Sequence, residues 1–81
     1  MDSSEVIKAV VEDSELSMYA VSGAMGRSRV YIGQAVNAKR IPTIRTMAEI
    51  CDVTGHDLLI RNRKTGREIT IDPPKKESNE D

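Results

Sequence analysis

The sequence of 81 residues contains no tryptophan or phenylalanine and only two tyrosines. Hydrophobic residues make up 38% of the chain, so its core must be built from isoleucine, leucine, valine, methionine and alanine. A chain of this length has room for one small domain with a narrow stability margin. We therefore expect a single domain that gains stability from a second copy of itself.

Cysteine is nearly absent, and long apolar runs are missing. The single cysteine, Cys51, rules out an internal disulfide, and its place in an apolar helical pattern predicts a buried thiol. Cys51 and the lone His56 supply too few ligands for a closed metal site. No run approaches the roughly 20 apolar residues that span a bilayer, and the acidic start lacks a signal-peptide core. We expect no cofactor, no membrane partner and a reducing cytoplasm.

Acidic residues are missing from the middle of the chain. The segment 16–48 has no aspartate or glutamate but five basic residues, whereas residues 1–15 carry five acids and one base. A local positive potential of this kind suits a phosphate backbone, although a solvated face with chance clustering is the alternative. The five basic residues are Arg27, Arg29, Lys39, Arg40 and Arg45.

Enzymatic chemistry is not indicated by the residues present. The chain has one histidine and one cysteine, and it shows no glycine-rich phosphate loop and no pair of carboxylates in an apolar setting. We therefore predict a binding protein and not an enzyme.

Apolar residues recur at helical spacing through the first two thirds of the chain, which predicts four helices. Ser17, Ser28 and Thr43 are good N-caps for the second, third and fourth helices, and Gly26 supplies the left-handed residue that ends the second. The fourth helix has Ile44, along with Met47 and Ile50, on its apolar side. The predicted ranges are 5–13, 18–25, 29–37 and 44–53.

The pattern then alternates, which predicts two strands over 57–62 and 67–72. A four-residue loop pairs Leu58 with Ile71 and Ile60 with Ile69, and it places Gly66 where a positive φ is needed. A lone hairpin is barely stable in water, so its apolar face must pack on the helices, on a second chain, or on both. Residues 73–81 are predicted to be a disordered tail.

Residues 17–37 combine a short capped helix, a glycine turn and a second capped helix with a buried Ile32. Together with Ile41-Pro42-Thr43-Ile44 and Met47-Ala48-Glu49-Ile50, this spacing resembles the lambdoid phage repressor and Cro family, also called the Xre family, over residues 5–60. The resemblance implies a mainly α fold, namely a four- to five-helix repressor-like helix-turn-helix bundle followed by the β-hairpin. Residues 1–56 would then form the DNA-binding domain.

The resemblance also implies which residues meet DNA. The helix over 28–37 would enter the major groove, with Arg29, Val30 and Gln34 at the base-facing positions. These side chains suit guanine, a thymine methyl and adenine respectively, although exposed helix polarity is the plain alternative. Tyr31 could instead pack at the edge of the core. The residues suited to phosphates are Arg27, Ser28, Tyr31, Asn37, Lys39 and Arg40.

Two positions depart from the family pattern. Met18 stands where the family often has a glutamine that clamps a phosphate, and Gly33 costs about 1 kcal/mol of helix propensity relative to alanine. Both positions bear on affinity for DNA and not on the fold.

Three functions are compatible with the sequence. The first is a homodimeric transcriptional repressor on a double-stranded operator, cytoplasmic and nucleoid-associated when bound, with reading helices about 34 Å apart. The second is the antitoxin of a toxin–antitoxin pair, whose hairpin and acidic tail neutralise the toxin while it autoregulates its operon. The third is a protein-interaction module that has lost DNA binding. The candidate dimer residues are Leu58, Ile60, Ile69 and Ile71.

Overall fold

The first helix begins at an aspartate cap. The computed structural model describes residues 1–74, in which α1 spans Ser3–Ser14. The Asp2 carboxylate accepts the backbone N–H of Glu5, and the Glu5 carboxylate accepts the backbone N–H of Asp2. This capping box satisfies two N–H groups that would otherwise lack a helical partner. It starts the helix two residues earlier than the apolar stripe predicts.

The second helix, α2, spans Met18–Ala24. Its predicted cap is confirmed, because the Ser17 hydroxyl accepts the N–H of Ala20 at 3.0 Å. The turn after the helix contains Gly26 at φ 74°, the left-handed backbone predicted for it.

The third helix, α3, spans Tyr31–Asn37 and begins two residues later than predicted. Ser28 is not its N-cap. The carbonyl of Ser28 accepts the N–H of Tyr31 at 2.9 Å, so residues 28–31 form a separate turn before the helix. The physical reason is that a hydroxyl from α2, that of Ser22, accepts the N–H of Ile32 in the first turn of α3. The local cap is therefore replaced by a tertiary one.

The fourth helix, α4, spans Ile44–Val53, and its predicted cap is confirmed by the 3.1 Å bond from the N–H of Thr46 to the Thr43 hydroxyl. Ile50 is buried as predicted, at 1% exposure. The inward placement of Ile44 is wrong, because its side chain is 58% exposed. As the first residue of the helix, Ile44 lies at the edge of the core, where no described element covers it.

The hairpin has the predicted register. Strands β1 (Leu58–Arg61) and β2 (Glu68–Ile71) are antiparallel, with the two predicted apolar pairs opposite each other. Gly66 has φ 76°, as the four-residue loop requires. Each strand is one residue shorter at both ends than predicted.

The core lies between the four helices. Its buried cluster comes from all of them, and β1 packs beside α4 without contributing a buried residue. The structure is thus mainly α with one C-terminal hairpin, and none of the described helices has both the length and the apolarity to cross a membrane. The predicted disordered tail falls, from Lys75 onward, outside the described residues. The cluster consists of Ile7, Val11, Val21, Met25, Ile32 and Ile50.

Candidate nucleic-acid interface

The predicted reading residues lie on the outer side of α3 and the turn before it. Ile32 and Ala35 point into the core, as predicted, at 0% and 9% exposure. Val30, Gln34 and Asn37 follow the spacing i, i+4, i+7, which places them on the opposite side of the helix. All three are exposed. This surface, residues 29–37 away from the core, is called the reading surface below, after the role predicted for it.

Ser22 ties α2 to α3. Its hydroxyl donates to the carbonyl of Met18 at 2.7 Å and accepts the N–H of Ile32 at 3.0 Å, and the residue has no exposed area. This bond fixes the start of α3 against α2 from inside the bundle. This bond could not be predicted from the sequence, since no local pattern joins two residues that are ten positions apart.

Arg29 stacks on a tyrosine of α2. Its guanidinium carbon lies 4.9 Å from the centre of the Tyr19 ring. Both side chains are exposed, so Tyr19 adjoins the reading surface at the end where Arg29 lies. A guanidinium over a tyrosine face is attracted by the ring quadrupole. Arg29 therefore lies in a turn against α2, and not in the first turn of a helix.

Arg27 is held differently. One of its guanidinium nitrogens lies 3.6 Å from a carboxylate oxygen of Glu49, and its guanidinium carbon lies 4.7 Å from the centre of the Tyr31 ring. Tyr31 is half-buried and packs against the core, so its ring takes the edge-of-core position that the sequence left open. The carboxylate of Glu49 partly offsets the positive potential around Arg27, so this residue attracts a phosphate less than an unpaired arginine would.

The other basic residues of the acid-free segment are exposed. Within residues 1–74, no carboxylate oxygen lies within 4.0 Å of the charged groups of four of them, namely Arg29, Lys39, Arg40 and Arg45. Ser28 is exposed as well. Ser28 and Arg29 thus lie in the turn before α3 and Lys39 and Arg40 just after it, whereas Arg45 lies in the first turn of α4.

Lys39 has a strained backbone. It adopts φ 52°, a left-handed conformation that costs a residue with a Cβ about 1–2 kcal/mol. The N–H groups of Lys39 and Arg40 donate to the carbonyls of Val36 and Ala35, which closes the end of α3. Glycine usually fills such a position, so a lysine here lowers the stability of the fold relative to glycine.

The hairpin presents part of its apolar face to solvent. Ile60 and Ile69, which pair across the strands, are 55% and 56% exposed. Leu58 and Ile71 pair nearer the helices and are half-buried. The four predicted dimer residues therefore share one face, of which one end packs towards the helical bundle and the other remains uncovered.

Cys51 and His56 have structural surroundings. Cys51 is buried at 5% exposure, and this burial, followed by the nearby charge of Asp57, raises the pKa of its thiol. The His56 ring bonds to the Asp13 carboxylate at 2.7 Å and to the Thr54 hydroxyl at 3.0 Å, which joins the ends of α1 and α4. Residues 1–74 contain no group of three or more side chains placed to hold a metal ion.

Comparison with known proteins gives no relative from which a function can be transferred. The chain matches no protein-family model, no curated protein and no solved structure at a significant level.

Proposed function

We propose that this chain is a sequence-specific DNA-binding protein that acts as a transcriptional repressor. The observation that carries the proposal is the reading surface itself. Its polar side chains are exposed, it contains no acidic residue, and Ile32 anchors it in the core from behind. A helix fits the major groove, where each base pair displays a distinct set of donors and acceptors.

The dimensions of α3 support this proposal. With its side chains an α-helix is about 10–12 Å across, which fits the about 12 Å width of the major groove. Exposed basic residues stand at both ends, with Arg29 before the helix and Lys39 and Arg40 after it. Phosphates on the two sides of the groove would then meet positive charge at both ends of the helix.

Within this arrangement, three side chains are proposed to read bases. The Arg29 guanidinium can donate two hydrogen bonds to guanine, and the Gln34 amide can both donate to and accept from adenine. Val30, at 54% exposure, offers a methyl surface to thymine. Asn37, Lys39 and Arg40 are proposed to hold the phosphate backbone.

A homodimer is the proposed working form. The uncovered end of the hairpin face, Ile60 and Ile69, is apolar, and each of the two residues is more than half exposed. A second copy that packs on it would be related by a two-fold axis and would give two reading helices for a near-palindromic operator. If a different small protein covers this face instead, the antitoxin function replaces the homodimeric repressor.

Selection from random double-stranded DNA at a stated salt concentration tests the proposal. The expected result is one enriched sequence with two related halves whose centres are about 34 Å, or one DNA turn, apart. Affinity for that sequence should fall steeply as salt is raised, because phosphate contacts release counterions. Rounds of selection that enrich no sequence would contradict the proposal and would favour a protein-interaction module.

A further inference from the structure

We propose that Tyr19 and Gly23 position the guanidinium of Arg29 for base recognition. The inference rests on the proposed function, since it assigns two residues of α2 to the control of a reading side chain in the following turn. Neither residue needs to touch a base. Tyr19 holds the plane of the guanidinium, and Gly23 leaves the space that the arginine side chain occupies.

The first observation is the stack between Arg29 and Tyr19. The distance of 4.9 Å from the guanidinium carbon to the ring centre lies within the range of a cation–π contact. The ring is 60% exposed, so Tyr19 is not placed where it is by burial in the core. Tyr19 therefore restrains the guanidinium of Arg29 from one face. The N–H groups at the edge of the guanidinium stay accessible to a partner.

The second observation is the space above Gly23. A Cβ built at this position would lie 2.7 Å from the Nε of Arg29, 2.9 Å from its Cζ and 3.1 Å from its Cδ. Real Cβ atoms essentially never lie within 3.0 Å of another heavy atom, so any larger residue at this position displaces the Arg29 side chain. Tyr19 and Gly23 are four residues apart on one side of α2, and the Arg29 side chain lies along that side.

Together the two residues restrict a long and flexible side chain before DNA is met. An arginine loses rotamer entropy when it binds, and that loss is smaller if the side chain is already ordered. The gain is specific to the base that Arg29 reads, because the stack orients the plane in which its paired N–H donors lie. Other contacts of the reading surface, such as those of Lys39, are unaffected by the stack.

Nuclear magnetic resonance of the free protein tests the geometry without DNA. The Hδ and Hε resonances of Arg29 should be shifted upfield by the Tyr19 ring. The shift should persist in Tyr19→Phe, disappear in Tyr19→Leu and shrink in Gly23→Ala. Gly33→Ala is the matched control, since a Cβ there meets nothing within 4 Å. Arg27, stacked on Tyr31, is an internal reference that should not change in the Tyr19 variants. Random-coil Arg29 shifts in the wild-type protein would overturn the inference.

Binding to the selected operator and to its single-base variants then tests the consequence. Tyr19→Leu should lower the preference for one base pair by about two- to fivefold, the strength of an exposed cation–π contact, while Tyr19→Phe restores it. Gly23→Ala should lower the same preference although alanine favours the helix and thermal stability is kept or raised. If Gly23 had a merely structural role, its substitution would not lower the base preference while thermal stability is kept.

The outcomes separate the inference from the proposed function. If Arg29→Ala lowers the preference and neither Tyr19→Leu nor Gly23→Ala does, the positioning role is overturned and the proposed function stands. If the wild-type protein prefers no base pair at any salt concentration, the proposed function fails, and this inference fails with it.

Discussion

The hydroxyl oxygen of Ser22 in α2 accepts a 3.0 Å hydrogen bond from the backbone N–H of Ile32 in α3. Both residues are fully buried, at 0% exposure. A buried N–H without a partner is costly, so this bond determines how the start of α3 sits against α2. The orientation of the reading surface depends on it.

Substituting Ser22→Ala should lower the free energy of unfolding by about 1–3 kcal/mol, because it leaves the N–H of Ile32 buried and unpaired. The matched control is Ser28→Ala, at an exposed serine whose hydroxyl lies 3.5 Å from the backbone nitrogen of Val30. The control should change the free energy by less than about 0.5 kcal/mol. Urea unfolding measures both free energies, and equal effects would show that the Ser22 bond stabilises the fold no more than an exposed serine does.

Substituting Lys39→Gly should separate stability from DNA binding. Glycine adopts the left-handed backbone without strain, so the free energy of unfolding should rise by up to about 1 kcal/mol. Affinity should fall for all DNA sequences alike, because the lost charge faces a phosphate in the proposed complex.

Glu15→Gly is the control for this change, since Glu15 is, within residues 1–74, the other residue with a Cβ and a left-handed backbone, at φ 65°. It should gain similar stability without weakening DNA binding. The phosphate role of Lys39 would be contradicted if Lys39→Gly bound DNA as tightly as the wild-type protein.

The exposed end of the hairpin face is proposed to hold two copies of the chain together. The double variant Ile60→Thr and Ile69→Thr should shift the protein towards a monomer of 9.0 kDa in sedimentation equilibrium, because it removes the apolar surface proposed to meet a second copy. Leu59→Thr is the control on the opposite face of β1, where Leu59 pairs with Thr70 and is 39% exposed. A wild-type protein that is monomeric at high concentration would contradict the dimer.

The stability of the protein should depend on pH through the buried thiol of Cys51. Burial, and then the charge of Asp57, raises the pKa of its thiol above the ordinary value of 9.0. As pH rises, the Cys51 thiol therefore ionises in the unfolded chain before it does so in the folded protein. Between the pKa of the unfolded chain and that of the folded protein, ionisation stabilises only the unfolded state. The stability that the buried thiol provides is fully present below pH 9.0 and is lost above it.

Comparison of the wild-type protein with Cys51→Ala isolates this effect from other groups that titrate at high pH. The difference in free energy of unfolding between the two proteins should narrow as pH rises from about 8 to about 10. A difference that stays constant over that range would show that the thiol has the same pKa in both states.

Local patterns in the sequence were enough to predict the elements that depend on neighbours along the chain. The caps at Ser17 and Thr43 need only the N–H three residues later, and the hairpin register follows from the alternation of apolar residues with a four-residue loop. The burial of Ile32 and Ala35 follows from helical spacing. These predictions are confirmed because no distant contact competes with them.

The features that sequence reasoning missed depend on distant contacts. Ser28 looks like a helix cap, but Ser22, six residues earlier and in another helix, takes over that role. The stack of Arg29 on Tyr19 and the pairing of Arg27 with Glu49 join residues 10 and 22 positions apart. Propensity and periodicity carry no information on such pairs, which arise only once the helices have packed.

The proposed function assigns base recognition to the exposed side of the turn and of α3. Binding of Arg29→Ala and Gln34→Ala to the selected operator and its single-base variants at fixed salt tests this assignment, with Arg63→Ala, at an exposed arginine in the hairpin loop, as the control. Arg29→Ala and Gln34→Ala should each lose about 1–3 kcal/mol of preference at one base position, while Arg63→Ala keeps all preferences. Unchanged preferences in both Arg29→Ala and Gln34→Ala would rule the assignment out.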